Sequence, residues 1–372
     1  MKVALVHDHL AQDGGAEKVL KVLTELFPDA PIYTLLFEPK NVSKNFKNKD
    51  IRTSIIQRLP GGIKHYRWYL PLMPIAVEFF DLRDYDVVIS DASAFAKGVI
   101  TTSETLHICY CHTPTRYLWS DSHQYLNELS YNKYFKKIIA LLLSNLRLWD
   151  RAAADRVDTF IANSNFIARR ITKYYKRDSQ IIYPPVDVDR FGISKEIGDF
   201  YLIGGRIVPY KRIDITVEAF KKWGKKLVVF GDGVDLPRLK KIAAGAPNIE
   251  FVGRVDDATQ AALYQKCLAF IHPQEEDFGI TAVEAMASGR PVVAYGRGGI
   301  LEIVANHKTG VFFHEQTADG LLRVLERFNP LAFDPNVIRA KAESFSRERF
   351  RQELKHFIEQ EYCRFTQGKC DF

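Results

Sequence analysis

The sequence predicts an α/β protein built from two doubly wound, Rossmann-like domains. Three observations predict it. Short apolar runs alternate with amphipathic stretches of helical length in both halves, the pattern of a parallel sheet covered on both faces. The alternation breaks at Tyr183-Pro-Pro-Val-Asp-Val-Asp-Arg-Phe191, where two prolines and a polar tail make an extended linker. The 372 residues are too many for one typical core and suit two.

The elements follow in order. In residues 1–185, Lys2–His7 is an apolar strand and Ala16–Leu26 a helix. Further strands are Tyr85–Ser90, Leu106–Cys111 and Thr159–Ala162. In residues 190–345 the strands are Phe200–Ile203, Lys226–Phe230, Ile249–Val252, Leu268–Ile271, Pro291–Ala294 and Gly310–Phe313. Helices fall between them, at Asp257–Lys266 and Thr317–Phe328 among others, and Ser346–Tyr362 forms a last one. Two such domains joined by a linker place a ligand cleft between them, where strand C-terminal ends collect.

Composition narrows the class. A chain 47% hydrophobic and 26% charged has the ordinary composition of a soluble globular protein. No stretch is long enough to span a membrane, and Met1 leads into a strand, not a signal peptide. Cys109, Cys111, Cys267, Cys363 and Cys370 are odd in number, lack metal spacing and lie mostly in apolar surroundings, so reduced thiols in a cytosolic protein are expected. The formal net charge of +7 suits an anionic ligand, an anionic membrane surface or nucleic acid. Without an arginine-rich tail or a nucleic-acid motif, no nucleic-acid partner is expected.

The most informative segment is Glu276-Asp-Phe-Gly-Ile-Thr-Ala-Val-Glu284. A buried strand ends, a Phe278-Gly279 turn follows, and a helix begins that should carry Glu284. Peptide N–H groups and the positive helix end suit phosphate there, and a carboxylate suits sugar or ribose hydroxyls. Glu284 also fits a capping box with Thr281, and Glu276 also fits a solvated loop. Gly204-Gly205-Arg206 with Lys211 ends another strand in the same domain. Two cations at the start of the next helix suit a diphosphate and would offset leaving-group charge. A solvated basic turn is the alternative for this stretch alone. The package of strand, acidic loop, glycine turn and helix favours the functional reading.

In the first domain, Asp13-Gly14-Gly15 follows the first strand but lacks the three-glycine dinucleotide fingerprint. Its glycines would let backbone N–H groups approach a donor phosphate or sugar; a plain strand-to-helix turn reads equally well. His112 follows Leu106–Cys111 and opens an aromatic loop, well placed for the cleft, although a satisfied loop or core histidine is the commoner case. His7-Asp8-His9 lacks metal-site spacing, and Asp187-Val-Asp189 sits in the proline linker, so no metal site is expected. The stretch from Arg58 to Met73 mixes cations, aromatics and aliphatics. It fits a membrane interface or an ordinary amphipathic surface.

Taken together in this order, the Gly14-Gly15 loop, Gly205-Arg206 with Lys211, Gly231-Asp232-Gly233, the Glu276/Glu284 segment and Gly298-Gly299-Ile-Leu-Glu302 resemble the retaining glycosyltransferases of family 4. The resemblance covers nearly the whole chain. It implies the GT-B fold, two facing Rossmann-like domains with an interdomain cleft. The first would bind acceptor and the second a nucleotide sugar, and the C-terminal segment 346–372 would pack back on the first. It implies that Arg206 and Lys211 hold the donor diphosphate, that Glu284 binds the ribose, and that Glu276 lies near the sugar hydroxyls. Phe278, Gly279 and Ile280 would supply backbone contacts. Gly14 and Gly15 would face the phosphates, and His112 would lie beside the transferred sugar. His112, Glu276, Arg206 and Lys211 are thus the catalytic candidates.

The segment His112-Thr-Pro-Thr-Arg-Tyr-Leu-Trp119 further resembles bacterial mannosyltransferases of O-antigen and exopolysaccharide synthesis that use GDP-mannose. The expected activity is therefore metal-independent retaining transfer of a hexose, mannose from GDP-mannose, to a lipid-linked saccharide, without a cofactor beyond the donor. The expected place is the cytoplasm, peripherally on the inner face of the membrane. Two alternatives stand: a GT-B transferase or epimerase using a UDP-sugar, and a non-catalytic protein binding sugar nucleotides or polysaccharide.

Overall fold

The computed structural model describes residues 1–12, 14–42, 46–128 and 132–367. Asp13 and Cys370 lie outside the described residues. The chain forms two compact units, Met1–Pro185 with the segment from Phe350 onward, and Val186–Arg349.

The first unit is built on seven parallel strands: β1 (Val3–Leu10), β2 (Ile32–Phe37), β3 (Ile51–Thr53), β4 (Val87–Ala92), β5 (Leu106–Cys111), β6 (Thr159–Ala162) and β7 (Gln180–Ile181). Their order in the sheet is β3-β2-β1-β4-β5-β6-β7. β4 and β5 are buried along their whole length, because helices cover both faces of the sheet. That is why apolar residues dominate both strands and even Ser90, Asp91 and His107 are buried within them. The helix Gly15–Leu26 turns Val19, Leu20, Val22 and Leu23 toward the sheet at helical spacing. The long helix Lys133–Asp155 begins where the Asn132 side chain accepts from the N–H groups of Tyr134 and Phe135.

Three strands of this sheet escape the sequence reading. β3 and β7 have three and two residues, too few for periodicity to register. β2 is the continuous run Ile-Tyr-Thr-Leu-Leu-Phe, which periodicity alone does not separate from a buried helical turn. β1 also runs three residues beyond His7, to Leu10.

The last helix, Arg347–Phe365, belongs mostly to this first unit. Phe350, Leu354 and Ile358 recur every fourth residue and are fully buried with Val87, Ile89 and Tyr110 of the sheet. The Tyr110 ring meets Phe350 edge-on at 5.8 Å, and Thr159 Oγ1 donates to Glu361 at 3.0 Å. Burying each such side chain contributes about 1.5–3 kcal/mol.

The second unit carries six parallel strands: β8 (Phe200–Arg206), β9 (Lys226–Asp232), β10 (Ile249–Gly253), β11 (Phe270–His272), β12 (Val292–Tyr295) and β13 (Gly310–Phe313). Their order is β10-β9-β8-β11-β12-β13. The chain enters and leaves this unit side by side. Val186 N–H donates to the Phe345 carbonyl, and Arg347 N–H donates to the Val186 carbonyl, both at 3.0 Å.

In each sheet the strand order reverses once, between β1 and β4 in the first unit and between β8 and β11 in the second. The loops leaving those strands diverge and open a crevice at the strand C-terminal ends. Among the described residues no helix is long and apolar enough to cross a membrane.

Candidate active site

In the second unit the switch-point loops are 207–212, after β8, and 273–279, after β11. Gly204-Gly205 let β8 end tightly against β9. A Cβ on Gly231 would stand 1.8 Å from the Gly205 carbonyl oxygen, so only glycine fits there. Arg206 is the last residue of β8, not the start of the next helix, and its guanidinium donates to Tyr210 Oη at 2.9 Å. Lys211 closes the short 3-10 turn Pro209–Lys211. The helix Ile213–Trp223 begins two residues later.

Lys211 Nζ forms an ion pair with Glu276 Oε1. Both are largely shielded from water, with side-chain exposures of 12% and 16%. Burial works against each charge, but each stabilises the other more strongly. Glu276 is pushed down to about 2, and Lys211 is raised. Glu276 is therefore not a solvated loop residue. Its backbone is fixed as well: Gly299 N–H donates to the Glu276 carbonyl at 2.8 Å. A Cβ on Gly298, whose φ is +84°, would stand 2.4 Å from that same oxygen.

His272, at the end of β11, completes the pair's surroundings. Its Nε2 lies 3.8 Å from Glu276 Oε2, and burial lowers its pKa to about 4, so the ring is neutral. Gln274 Nε2 approaches His272 Nδ1 at 3.2 Å. Phe278 is buried and packs edge-on against Phe345. Gly279, at φ +128°, precedes the helix Ile280–Ala287 and makes no side-chain cap.

Glu284 is not a capping-box residue. It sits in the second turn of that helix, 4% exposed, and accepts from Tyr264 Oη at 3.3 Å. Tyr264 is fully buried, and burial together with Glu284 raises its pKa well above the usual range. Its hydroxyl therefore stays a donor and orients the carboxylate. Nothing in the local sequence around Tyr264, inside the helix Asp257–Lys266, marks it for this role.

The first unit holds a second polar cluster at its own switch point. His7 of β1 and Asp91 of β4 are register partners in the sheet. His7 Nδ1 donates to Asp91 Oδ2 at 2.8 Å, and His112 Nε2 donates to Asp91 Oδ1 at 2.5 Å. His7 Nε2 lies 3.7 Å from Glu17 Oε1, while Glu17 Oε2 accepts from Gly14 N–H at 2.8 Å. His7, Asp91 and Glu17 are buried, and His112 is partly exposed. Burial opposes a charge on His7, but Asp91 and Glu17 outweigh it and lift its pKa to about 10. Burial likewise opposes the Asp91 charge, and His112 and His7 overcome it, so Asp91 is held low.

Gly14 and His112 are thus joined through three buried residues, two of which, Glu17 and Asp91, the sequence does not single out. Gly15 is the first residue of the helix that Glu17 caps. Asp8 is committed elsewhere: its two oxygens accept the N–H groups of Ser93, Ala94, Phe95 and Ala96 at 2.6–2.8 Å and shape the loop after β4.

Comparison with known proteins bears on these two clusters. The family model for "Glycosyltransferase Family 4" matches residues 13–190, and that for "Glycosyl transferases group 1" matches residues 189–331. An uncharacterised glycosyltransferase of Methanocaldococcus jannaschii is 30% identical over 51% of this chain and 56% of its own length. The alpha-1,3/1,6-mannosyltransferase ALG2 of Dictyostelium discoideum is 24% identical over 90% of each chain. A GDP-mannose-dependent alpha-mannosyltransferase of Mycolicibacterium smegmatis is 38% identical, over 29% of this chain and 28% of that one. This chain thus spans about half of the first relative's length and under a third of the last one's. Among solved structures, Anabaena Alr3699/HepE in complex with UDP superposes with a TM-score of 0.69. It shares 17% identity and covers 97% of this chain and 100% of that one. The fold is the GT-B fold.

Proposed function

We propose, for a chain that belongs to the family 4 glycosyltransferases by two adjoining matches from residue 13 to residue 331, that it transfers mannose from GDP-mannose to a lipid-linked saccharide with retention of configuration. The observation that carries the transferase reading is the largely shielded Lys211–Glu276 pair at the switch point of the second unit, with Glu284 held on the adjoining helix. The mannose assignment draws its support from the names of the mannosyltransferase relatives and from the segment His112–Trp119.

In this reading Arg206 and Lys211 bind the diphosphate and stabilise the charge that builds on it as the glycosidic bond breaks. The N–H groups of Gly279 and Ile280, at a helix start, assist them. Glu284, oriented by Tyr264, accepts from the ribose hydroxyls, and Glu276 accepts from the sugar. The acceptor hydroxyl attacks on the face the diphosphate leaves, and a departing oxygen takes its proton. No metal takes part. Gly14 and Gly15 face the phosphates, and His112 faces the sugar.

The enzyme works at an anionic membrane surface on the cytoplasmic side of a bacterial cell, building surface polysaccharide. What supports the membrane surface is the exposure of Trp68 and Phe79, 70% and 80% open, and of the cations Arg58, Lys64 and Arg67 in the same stretch of a basic chain.

Calorimetric titration with GDP-mannose, GDP, UDP-glucose and UDP-N-acetylglucosamine, without added metal, tests the donor. Selective guanine-nucleotide binding is the expected result. Selective uridine binding would keep the reaction class and overturn the mannose assignment. Binding of the sugar nucleotides with no turnover on any acceptor would favour a non-catalytic binding protein.

A further inference from the structure

The chain of contacts in the first unit joins the two residues that the proposed function places on the donor. Asp91 is an acceptor with no proton of its own, because its carboxyl is held low. Both ring nitrogens that point at it must therefore carry hydrogen. One is Nδ1 of His7, at 2.8 Å, and the other is Nε2 of His112, at 2.5 Å. That assignment has a consequence for His112. In its neutral form the ring then has its lone pair on Nδ1, the tautomer that accepts a hydrogen bond there. The ring meets Tyr110 edge-on with centroids 5.1 Å apart, and the backbone of His112 is held by Asn163 Nδ2, which donates to its carbonyl at 3.0 Å.

Asp91 is itself fixed from behind. His7 lies between two carboxylates, Asp91 and Glu17, in a site closed to water. Its charge offsets theirs, which is what allows three ionisable groups to be buried together. Glu17 turns its other oxygen to Gly14 N–H at 2.8 Å. A movement of the Gly14 loop is therefore felt at Glu17, then at His7 and Asp91.

We propose that Asp91 is a positioning residue for sugar transfer: held by His7 and Glu17, it sets the ring orientation and tautomer of His112 and ties them to the Gly14 loop. Asp91 touches no reacting atom in this scheme; it acts through His112. The proposal rests on the glycosyltransferase reading, in which His112 faces the transferred sugar.

The test is Asp91→Asn in the full chain, with Glu17→Gln beside it. Imidazole ¹⁵N shifts of His112 are read in each, together with kcat and donor KM on GDP-mannose. The expected result for Asp91→Asn is a change of His112 from the Nε2–H tautomer to a mixture. A kcat loss of about 10²-fold goes with it, the size that small misplacement of a reacting group produces. Donor KM stays within about threefold, the signature of a group that matters only in the transition state. Glu17→Gln keeps an acceptor for Gly14 N–H but removes the charge behind His7. It is expected to shift the His112 signals in the same direction with a smaller kcat loss.

A residue with a merely structural role would lower the melting temperature and leave the His112 signals where they are. Unmoved signals in a folded Asp91→Asn protein overturn the proposal, as does a wild-type kcat. If Asp91→Asn does not fold, unmoved signals in Glu17→Gln overturn it instead. If the wild-type protein turns over no nucleotide sugar while the His112 signals still respond, the transferase reading fails and the positioning of His112 by Asp91 stands.

Discussion

Removing the Lys211 ammonium would leave the Glu276 carboxylate shielded from water with its nearest cation gone. Lys211→Ala is therefore expected to cost stability, about 3–5 kcal/mol for an uncompensated buried charge. It should also lower turnover about 10²–10³-fold, the usual loss when one preorganised charge is taken from a transition state. Arg206 differs, because it sits exposed at the strand end. Arg206→Ala should lose turnover by a similar factor while its melting curve stays near wild type. Steady-state kinetics with parallel thermal melts separate the two, and near-normal rates in both variants would defeat the diphosphate assignment. Tyr264 is the third residue at this scale. Tyr264→Phe removes only the hydroxyl that donates to Glu284 and should weaken nucleotide binding roughly tenfold, about one hydrogen bond to a charged group. Calorimetry with the free nucleotide reads this directly, and unchanged affinity would remove Tyr264 from the site.

Two elements, one in each unit, each rest on a feature that one substitution breaks. The loop carrying Glu276 is laid against Gly298, where no side chain fits and φ is positive. Gly298→Ala should destabilise the second unit by at least about 1–3 kcal/mol from backbone strain. Turnover should fall with it, since the Glu276 carbonyl cannot stay where it is. The last helix is anchored in the first unit by Phe350, which is fully buried. Phe350→Ala should cost about 3–5 kcal/mol, the range for emptying a core aromatic site. Denaturant titration checks both. A cost under about 1 kcal/mol for Phe350→Ala, the size of an ordinary surface change, would mean the helix is not held by that contact.

For the molecule as a whole, three buried histidines set the pH range in which the fold is most stable. His107 and His272 are held neutral by burial, with pKa values near 4. Below the unfolded value of 6.5 the unfolded chain binds more protons at these two sites. Stability should therefore fall as pH drops from 6.5 toward 4. His7 works in the opposite sense. Its folded pKa is raised, so its contribution is full below 6.5 and is lost as pH rises through about 10. The urea midpoint should accordingly peak between those limits, near pH 6.5. A first unit whose stability climbs steadily from pH 7 to 10 would contradict the charged state of His7. The membrane reading also belongs to this scale. Replacing Trp68 and Phe79 with serine should reduce co-sedimentation with anionic vesicles and leave nucleotide affinity unchanged.

The sequence alone determined the class of fold, because two series of apolar runs with helical intervals have few other ways to bury both faces of each strand. It also offered the acidic segment from Glu276 to Glu284, the cations Arg206 and Lys211, and His112 as candidates, since glycine turns and polar residues at strand ends are visible as residue types. Tertiary structure alone decided what those side chains touch. Lys211 and Glu276 are 65 positions apart and meet because β8 and β11 are neighbours at a reversal of strand order. Asp91 reads as one more residue of a buried strand, and Tyr264 as one more residue of a helix. Each gains its role from a partner distant in sequence, His7 and His112 for one and Glu284 for the other. Periodicity reports which face of an element is buried; only the packing of one element on another says which polar group waits there to receive a hydrogen bond.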